Sequence, residues 1–162
     1  MIDTLGILEK EIISSAVTSF IDIQADSLEE LRPKLIYNDT HKGNTVLSAL
    51  VNELRNCDFF WFSVAFITKS GIVILKETLK ELNKRGVKGK ILTTDYLTFN
   101  EPDALRELLN FDNLEVKVYT KEQFHTKGYM FCKNNQYTFI VGSSNLTQFA
   151  LKSNKEWNLR VS

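Results

Sequence analysis

His125 and Lys127 stand two apart in Phe124 to Lys133, a stretch that reads as a strand, so their side chains leave the same face. A cation beside an imidazole disfavours a second positive charge there, which suits a histidine that must be neutral to attack an electrophile. The lysine ammonium can meanwhile hold an anionic oxygen as a point charge. Further on, Val141-Gly142-Ser143-Ser144-Asn145 lies where a strand hands over to a helix. Its glycine permits a tight turn. Hydroxyls, an amide and free backbone N–H groups gather there at a helix N-terminus, a cradle for an oxyanion or a phosphate. Eleven residues past Asn145 stands Glu156, a carboxylate that would fix the imidazole tautomer if it faces His125. Each piece also has a plain structural reading. An H-x-K pair describes an exposed edge strand, GSSN an ordinary helix cap, and a carboxylate at a strand start a solvated charge.

The elements that must bring these residues together follow from apolar spacing. Leu5 to Phe20 suits a short helix, with Leu5, Leu8, Ile12, Ile13 and Ala16 near helical intervals, and residues 1–32 read as a helical appendage. Residues 33–162 read as one domain, opened by Pro33 and the short apolar run Leu35 to Tyr37. Val46, Leu47, Leu50, Val51 and Leu54 form a helical stripe ending near Asn56. Asp58 to Thr68 is almost continuously apolar, the pattern of a strand buried on both faces. Ser70 can cap a helix carrying Ile72, Leu75, Leu79 and Leu82, and Gly86 ends it. Lys88 to Thr94 is a second strand, Glu101-Pro102 opens another helix, and Leu114 to Tyr119 is a third strand.

Phe124 to Lys133 and Tyr137 to Ser143 then form a hairpin across the turn pair Asn134-Asn135. Asn145 to Leu151 suits a short helix and Glu156 to Val161 a last strand. Alternating strands and helices with a terminal hairpin predict an α/β domain, a mixed β-sheet flanked by helices. A last strand ending at the final residue predicts the N-terminal fragment of a longer protein.

With 162 residues, 43% hydrophobic and 25% charged, the composition is that of an ordinary globular domain. Cys57 and Cys132 are too few for a disulfide framework or a zinc site, and His41 and His125 too few for a His-rich metal centre. Lys and Arg balance Asp and Glu at 20 each, but unevenly along the chain. Residues 1–60 hold five basic against ten acidic side chains, and residues 61–162 hold fifteen against ten. The second part is therefore the better place to meet an anion. No secretory leader and no apolar run of about 20 residues is present, so the expectation is a cytoplasmic protein that does not enter a membrane.

His125-x-Lys127, followed by Gly142-Ser143-x-Asn145 and then Glu156, resembles the HKD motif of the phospholipase D superfamily. The surrounding residues resemble its bacterial branch, the phospholipase-D-like domains of nucleases, restriction enzymes and superfamily-two helicases. These are Phe62 to Phe66 with Ser70-Gly71, Leu92 to Tyr96, Ser144 to Thr147 with Ala150-Leu151, and Asn154 to Asn158. The resemblance covers residues 33–162. It departs from the family where Cys132 stands in place of the motif aspartate, five positions after Lys127 and so on the opposite strand face.

The resemblance implies a phospholipase-D-like fold and a two-step, metal-free phosphodiester transfer with no cofactor. His125 would attack phosphorus to give a covalent phosphohistidine, and a second histidine would serve as acid and base. Lys127 and Asn145 would hold the non-bridging oxygens, Ser143 would assist, and Glu156 would orient His125. Two motifs are needed per site and this chain carries one, so a homodimer is expected. His41, in the loop-like Asp39-Thr40-His41-Lys42-Gly43, lacks the rest of the motif. The expected partner is nucleic acid, DNA ahead of RNA, with a helicase domain following in the full-length protein. The alternative is a catalytically degenerate domain that binds nucleic acid or a partner chain without cleaving. Lipid phosphodiester chemistry ranks below both, because no amphipathic helix with a basic face is visible.

Overall fold

The computed structural model describes residues 33–39, 41–95 and 100–162. The helical appendage expected over residues 1–32 lies outside the described residues, as does Tyr96. The elements run β1 (Lys34–Ile36), α1 (Val46–Asn56), β2 (Phe59–Val64), α2 (Lys69–Lys84), β3 (Lys88–Thr94), α3 (Pro102–Leu108), β4 (Leu114–Tyr119), β5 (Lys127–Lys133), β6 (Gln136–Gly142), α4 (Gln148–Lys152) and β7 (Asn158–Val161). The strands make one mixed sheet in the order β1-β7-β6-β5-β2-β3-β4. β2, β3 and β4 are parallel, and every other neighbouring pair is antiparallel. The expected α/β architecture is the observed one.

Local signals account for most element ends. Thr45 caps α1 by accepting from the Ser48 N–H, and Ser48 answers in a reciprocal capping box. α2 is capped by Thr68, whose hydroxyl accepts from the Gly71 N–H at 3.1 Å, and not by the expected Ser70. Both residues are good caps, and two positions earlier is where the chain leaves the extended conformation. Gly86, at φ +71°, stops the helix as expected. Asn134 and Asn135 both take positive φ, 49° and 62°, which closes the β5–β6 hairpin at the pair that the sequence marks.

All the described helices contribute to one core, packed on one face of the sheet. Phe60, Phe62, Val64, Ile91, Tyr129, Phe131 and Ile140 from the strands meet Leu50, Leu54, Ile72, Leu75, Leu79, Leu82, Leu108 and Leu151 from the helices. Phe62 sits at its centre, with ring centroids 4.9 Å from Phe60 and 4.9 Å from Tyr129. The opposite face carries Trp61, Phe139, Tyr137, Val141 and Leu35, all exposed. This corrects the reading of β2 as buried on both faces. Trp61 is 48% exposed, because the described helices all pack against the other side. An aromatic run such as Phe59 to Phe62 hides the period of two that would have shown a one-sided strand.

Candidate active site

The candidate residues gather at one end of the sheet, where β5 begins, β6 ends and β7 begins. His125 does not lie in β5, as its expected strand placement had it. The strand starts at Lys127, and His125 sits in the segment leading into it. That segment is held by Thr126, whose carbonyl accepts from the Ala65 N–H at 2.9 Å and whose hydroxyl lies 2.7 Å from Ser63 Oγ. The pair still meets, because the Lys127 side chain reaches back. Its Nζ donates to the His125 carbonyl at 3.1 Å and lies 2.9 and 3.0 Å from Nδ1 and Nε2. The in-plane lone-pair directions of those nitrogens diverge, so at most one contact is an aligned hydrogen bond and the other ring nitrogen stays open to a further partner. The His125 ring packs edge-on against Phe66 at 5.3 Å, and Lys127 Nζ lies 5.6 Å from the same Phe66 ring. Partial burial lowers the Lys127 pKa from its ordinary value, and the negative charge of Glu156 opposes that shift.

Across from this pair, Glu156 Oε2 accepts from Ser143 Oγ in a short hydrogen bond. Glu156 makes no hydrogen bond to His125 among the described residues, so the expected orienting contact is not present. The Gly142–Asn145 turn also differs from the expected cradle of free N–H groups. The Ser143 N–H donates to the Trp157 carbonyl at 3.0 Å, the Ser144 N–H to Asn158 Oδ1 at 3.3 Å, and the Leu146 N–H to the Phe66 carbonyl at 3.0 Å. The entry to β7 and the segment just past β2 have used these donors. The helix that follows starts at Gln148 behind a Thr147 cap and spans five residues, too short to present an N-terminus to the turn. What the turn does offer is Asn145. Its Oδ1 accepts from the Phe66 N–H at 3.3 Å, which leaves the amide Nδ2 donors for an anion.

The arrangement is therefore an exposed imidazole with a lysine ammonium against it, an amide donor, and a serine–carboxylate pair. A family model described as "Cardiolipin synthase, PLD-like domain" matches residues 50–162, the stretch that holds all five of these residues. The chain belongs to the phospholipase-D-like family. Among curated proteins no sequence matches it. Among solved structures it is similar to NucT from Helicobacter pylori, with a TM-score of 0.63 and 16% identity over 79% of this chain and 83% of that one. It is also similar to Nuc from Salmonella typhimurium, described as a phospholipase D family member, at 0.60 and 16% over 80% and 82%. Phosphatidylserine synthase from Haemophilus influenzae gives 0.65 and 13% over 79% of this chain and 34% of that one. At these identities the likeness is one of fold.

In this phospholipase-D-like domain the site rests on residues that the sequence reading left without a role. Tyr129 is fully buried and donates its hydroxyl to the Ser144 carbonyl at 2.8 Å; burial drives its pKa far up, so the phenol stays a donor. Asn158 is 2% exposed and brackets Ser144, donating from Nδ2 to Ser144 Oγ at 2.9 Å while Oδ1 accepts from the Ser144 N–H. A Cβ on Gly142 would collide with the Trp157 carbonyl oxygen, so only glycine lets the chain entering β7 come this close to the turn. Phe66 and Asn158 lie in the runs Phe62 to Phe66 and Asn154 to Asn158 that carry the family resemblance, without a role attached to either; nothing local marked Tyr129. Cys132 is buried, paired in register with Phe59 and Tyr137, and alternates away from Lys127. His41 lines a groove that also includes Glu156, although the two are 115 positions apart. Among the described residues no group of three His, Cys, Asp or Glu comes together as a metal site, and no helix is long and apolar enough to cross a membrane.

Proposed function

We propose that this domain is a phosphodiesterase acting on nucleic acid through a covalent phosphohistidine, without a metal ion. The observation that carries the reading is the Lys127 ammonium seated against the His125 ring, with Asn145, Ser143 and Glu156 at the same sheet end. The unprotonated ring nitrogen of His125, freed as the Lys127 ammonium turns from the ring to the phosphate, gives its lone pair to phosphorus. The N–P bond forms as the P–O bond to one strand end breaks, and that oxygen leaves with its electron pair and takes a proton from a second imidazole. Water then attacks phosphorus and gives its proton to the same second imidazole. The N–P bond breaks, and its pair returns to His125. Charge on the non-bridging oxygens is met by Lys127 and the Asn145 amide, which supply built-in electrostatic stabilisation. Orientation of His125 by Glu156 belongs to the substrate-bound state, in which Ser143 turns its hydroxyl from Glu156 to the phosphate.

The second imidazole comes from a second copy of the chain, in a homodimer with one composite site on its two-fold axis. The resemblance to helicase- and restriction-associated domains favours DNA over RNA and a helicase domain in the full-length protein. A binding-only domain is the second reading. It is favoured by the engaged N–H groups of the Ser143, Ser144 and Leu146 backbone, which leave the turn fewer donors for a phosphate.

Hydrolysis of bis(p-nitrophenyl) phosphate and of DNA in excess EDTA tests the reading, together with mixtures of parent and His125→Ala protein under subunit exchange. Activity that survives EDTA and falls as the square of the parent fraction is expected, since mixed dimers lack one histidine. A His125→Ala protein as active as the parent ends the assignment, and a linear fall ends the composite site.

A further inference from the structure

A groove of about 300 Å³ runs from Glu156 past Trp157 to Tyr37, His41 and Lys155. Its size is at the lower end for small-molecule pockets, roughly 300–1,000 Å³, enough for one planar ring system and its link. Trp157 is 74% exposed, the most exposed large hydrophobic side chain among the described residues, although an indole has more to gain from burial than almost any other side chain. Its backbone is held fast. The Trp157 N–H donates to Ser143 Oγ at 3.1 Å and its carbonyl accepts from the Ser143 N–H at 3.0 Å. The indole is therefore carried one residue from Glu156 on a rigid support.

The far wall is equally fixed. Buried Asn38 donates to the Ala150 and Asn154 carbonyls at 2.8 and 2.9 Å and accepts from the Val46 N–H at 2.9 Å, which ties the end of β1 to the segment before Glu156. Of the two carboxylates lining the groove, Glu156 is bonded to Ser143, and Asp39 accepts from the His41 and Lys42 N–H groups and faces Lys42 Nζ at 3.9 Å. Lys155 is exposed and open to a phosphate.

We propose that this groove is a nucleobase subsite for a single DNA strand, with an unpaired base stacked on Trp157 and the adjoining backbone phosphate near Lys155. The inference rests on the phosphodiesterase reading for the direction in which the strand runs, from His125 across Glu156 into the groove. The chemistry selects the strand form. A stacking platform needs a free π-face, which an unpaired base offers and a base inside a duplex does not. An acyl chain or a lipid headgroup has no such face.

The test uses the His125→Ala protein, which binds without cleaving, and a fluorescein-labelled oligothymidylate strand read by anisotropy. Adding Trp157→Ala weakens binding roughly five- to a hundredfold, as expected for loss of one base–aromatic stack. Trp157→Phe recovers most of the affinity, and affinity for a duplex of equal length changes less than twofold. In a Trp61→Phe protein, where Trp157 is the remaining tryptophan, the strand quenches the indole fluorescence. Unchanged strand affinity in Trp157→Ala, equal losses for strand and duplex, or no quenching overturns the subsite. A protein that binds the strand through Trp157 yet cleaves no phosphodiester refutes the catalytic reading and leaves the subsite standing.

Discussion

Asn158→Ala separates the scaffold of the site from its chemistry, because Asn158 touches no candidate reacting group yet grips the residue between two of them. Its side chain is 2% exposed and makes two hydrogen bonds to Ser144, itself fully buried. Truncation strands the Ser144 N–H and leaves its hydroxyl without a donor. A buried polar group that loses its partner costs about 1–3 kcal/mol. The 3.3 Å contact belongs at the lower end of that range and the 2.9 Å contact nearer the middle. With a small cavity term, the total is about 3 kcal/mol. In a domain of this size, each kcal/mol moves the melting temperature by roughly 2–4 °C, so the midpoint should fall by about 6–12 °C.

Well below that midpoint the folded variant should also lose about tenfold to a hundredfold in kcat. Ser144 links Ser143 to Asn145, and a misplacement near 1 Å costs on that order. Circular dichroism melts and bis(p-nitrophenyl) phosphate kinetics read the two effects. Ser144→Ala provides the second arm of a double-mutant cycle, with a coupling of about 0.5–3 kcal/mol expected for residues in contact. A melting point within 2 °C of the parent, or an unchanged kcat, would show that Asn158 does not hold the turn.

Three other outcomes follow from the same geometry. Glu156→Gln removes the charge that supports the Lys127 proton, so the Lys127 pKa falls further and the alkaline limb of the pH–rate profile moves to lower pH; a limb that stays in place would mean that Lys127 is not the group titrating there. Gly142→Ala drives a Cβ into the Trp157 carbonyl and should cost about 1–3 kcal/mol of stability along with most of the activity, read by urea unfolding. Cys132→Asp restores the family pattern at a buried position facing away from Lys127. It should lower stability by about 1–3 kcal/mol and leave the rate per folded molecule within threefold; a tenfold gain, about 1.4 kcal/mol of barrier, would show that the position matters to the chemistry.

The amino-acid sequence by itself determined whatever depends on near neighbours. The apolar stripe from Val46 to Leu54 is a helix because its spacing is helical, and Asn134-Asn135 is a turn because both residues tolerate positive φ. Gly86 stops α2 for the same local reason. The residues His125, Lys127, Ser143, Asn145 and Glu156 were visible as a set because their types and spacing form a motif. Only the tertiary structure decided how they meet. Lys127 reaches His125 from a strand that His125 does not enter, and Asn145 is set by Phe66, 79 positions earlier in the chain. The turn's N–H groups look free in the sequence and are taken by Trp157, Asn158 and Phe66. Which face of β2 is covered was likewise undecided by its own residues, since Trp61 and Phe62 are equally apolar and only the placement of the helices buries one and exposes the other. Caps, turns and periodicity are satisfied within a few residues, so the sequence shows them directly. A hydrogen-bond partner or a covering helix distant along the chain is chosen by packing, and packing exists only once the chain has folded.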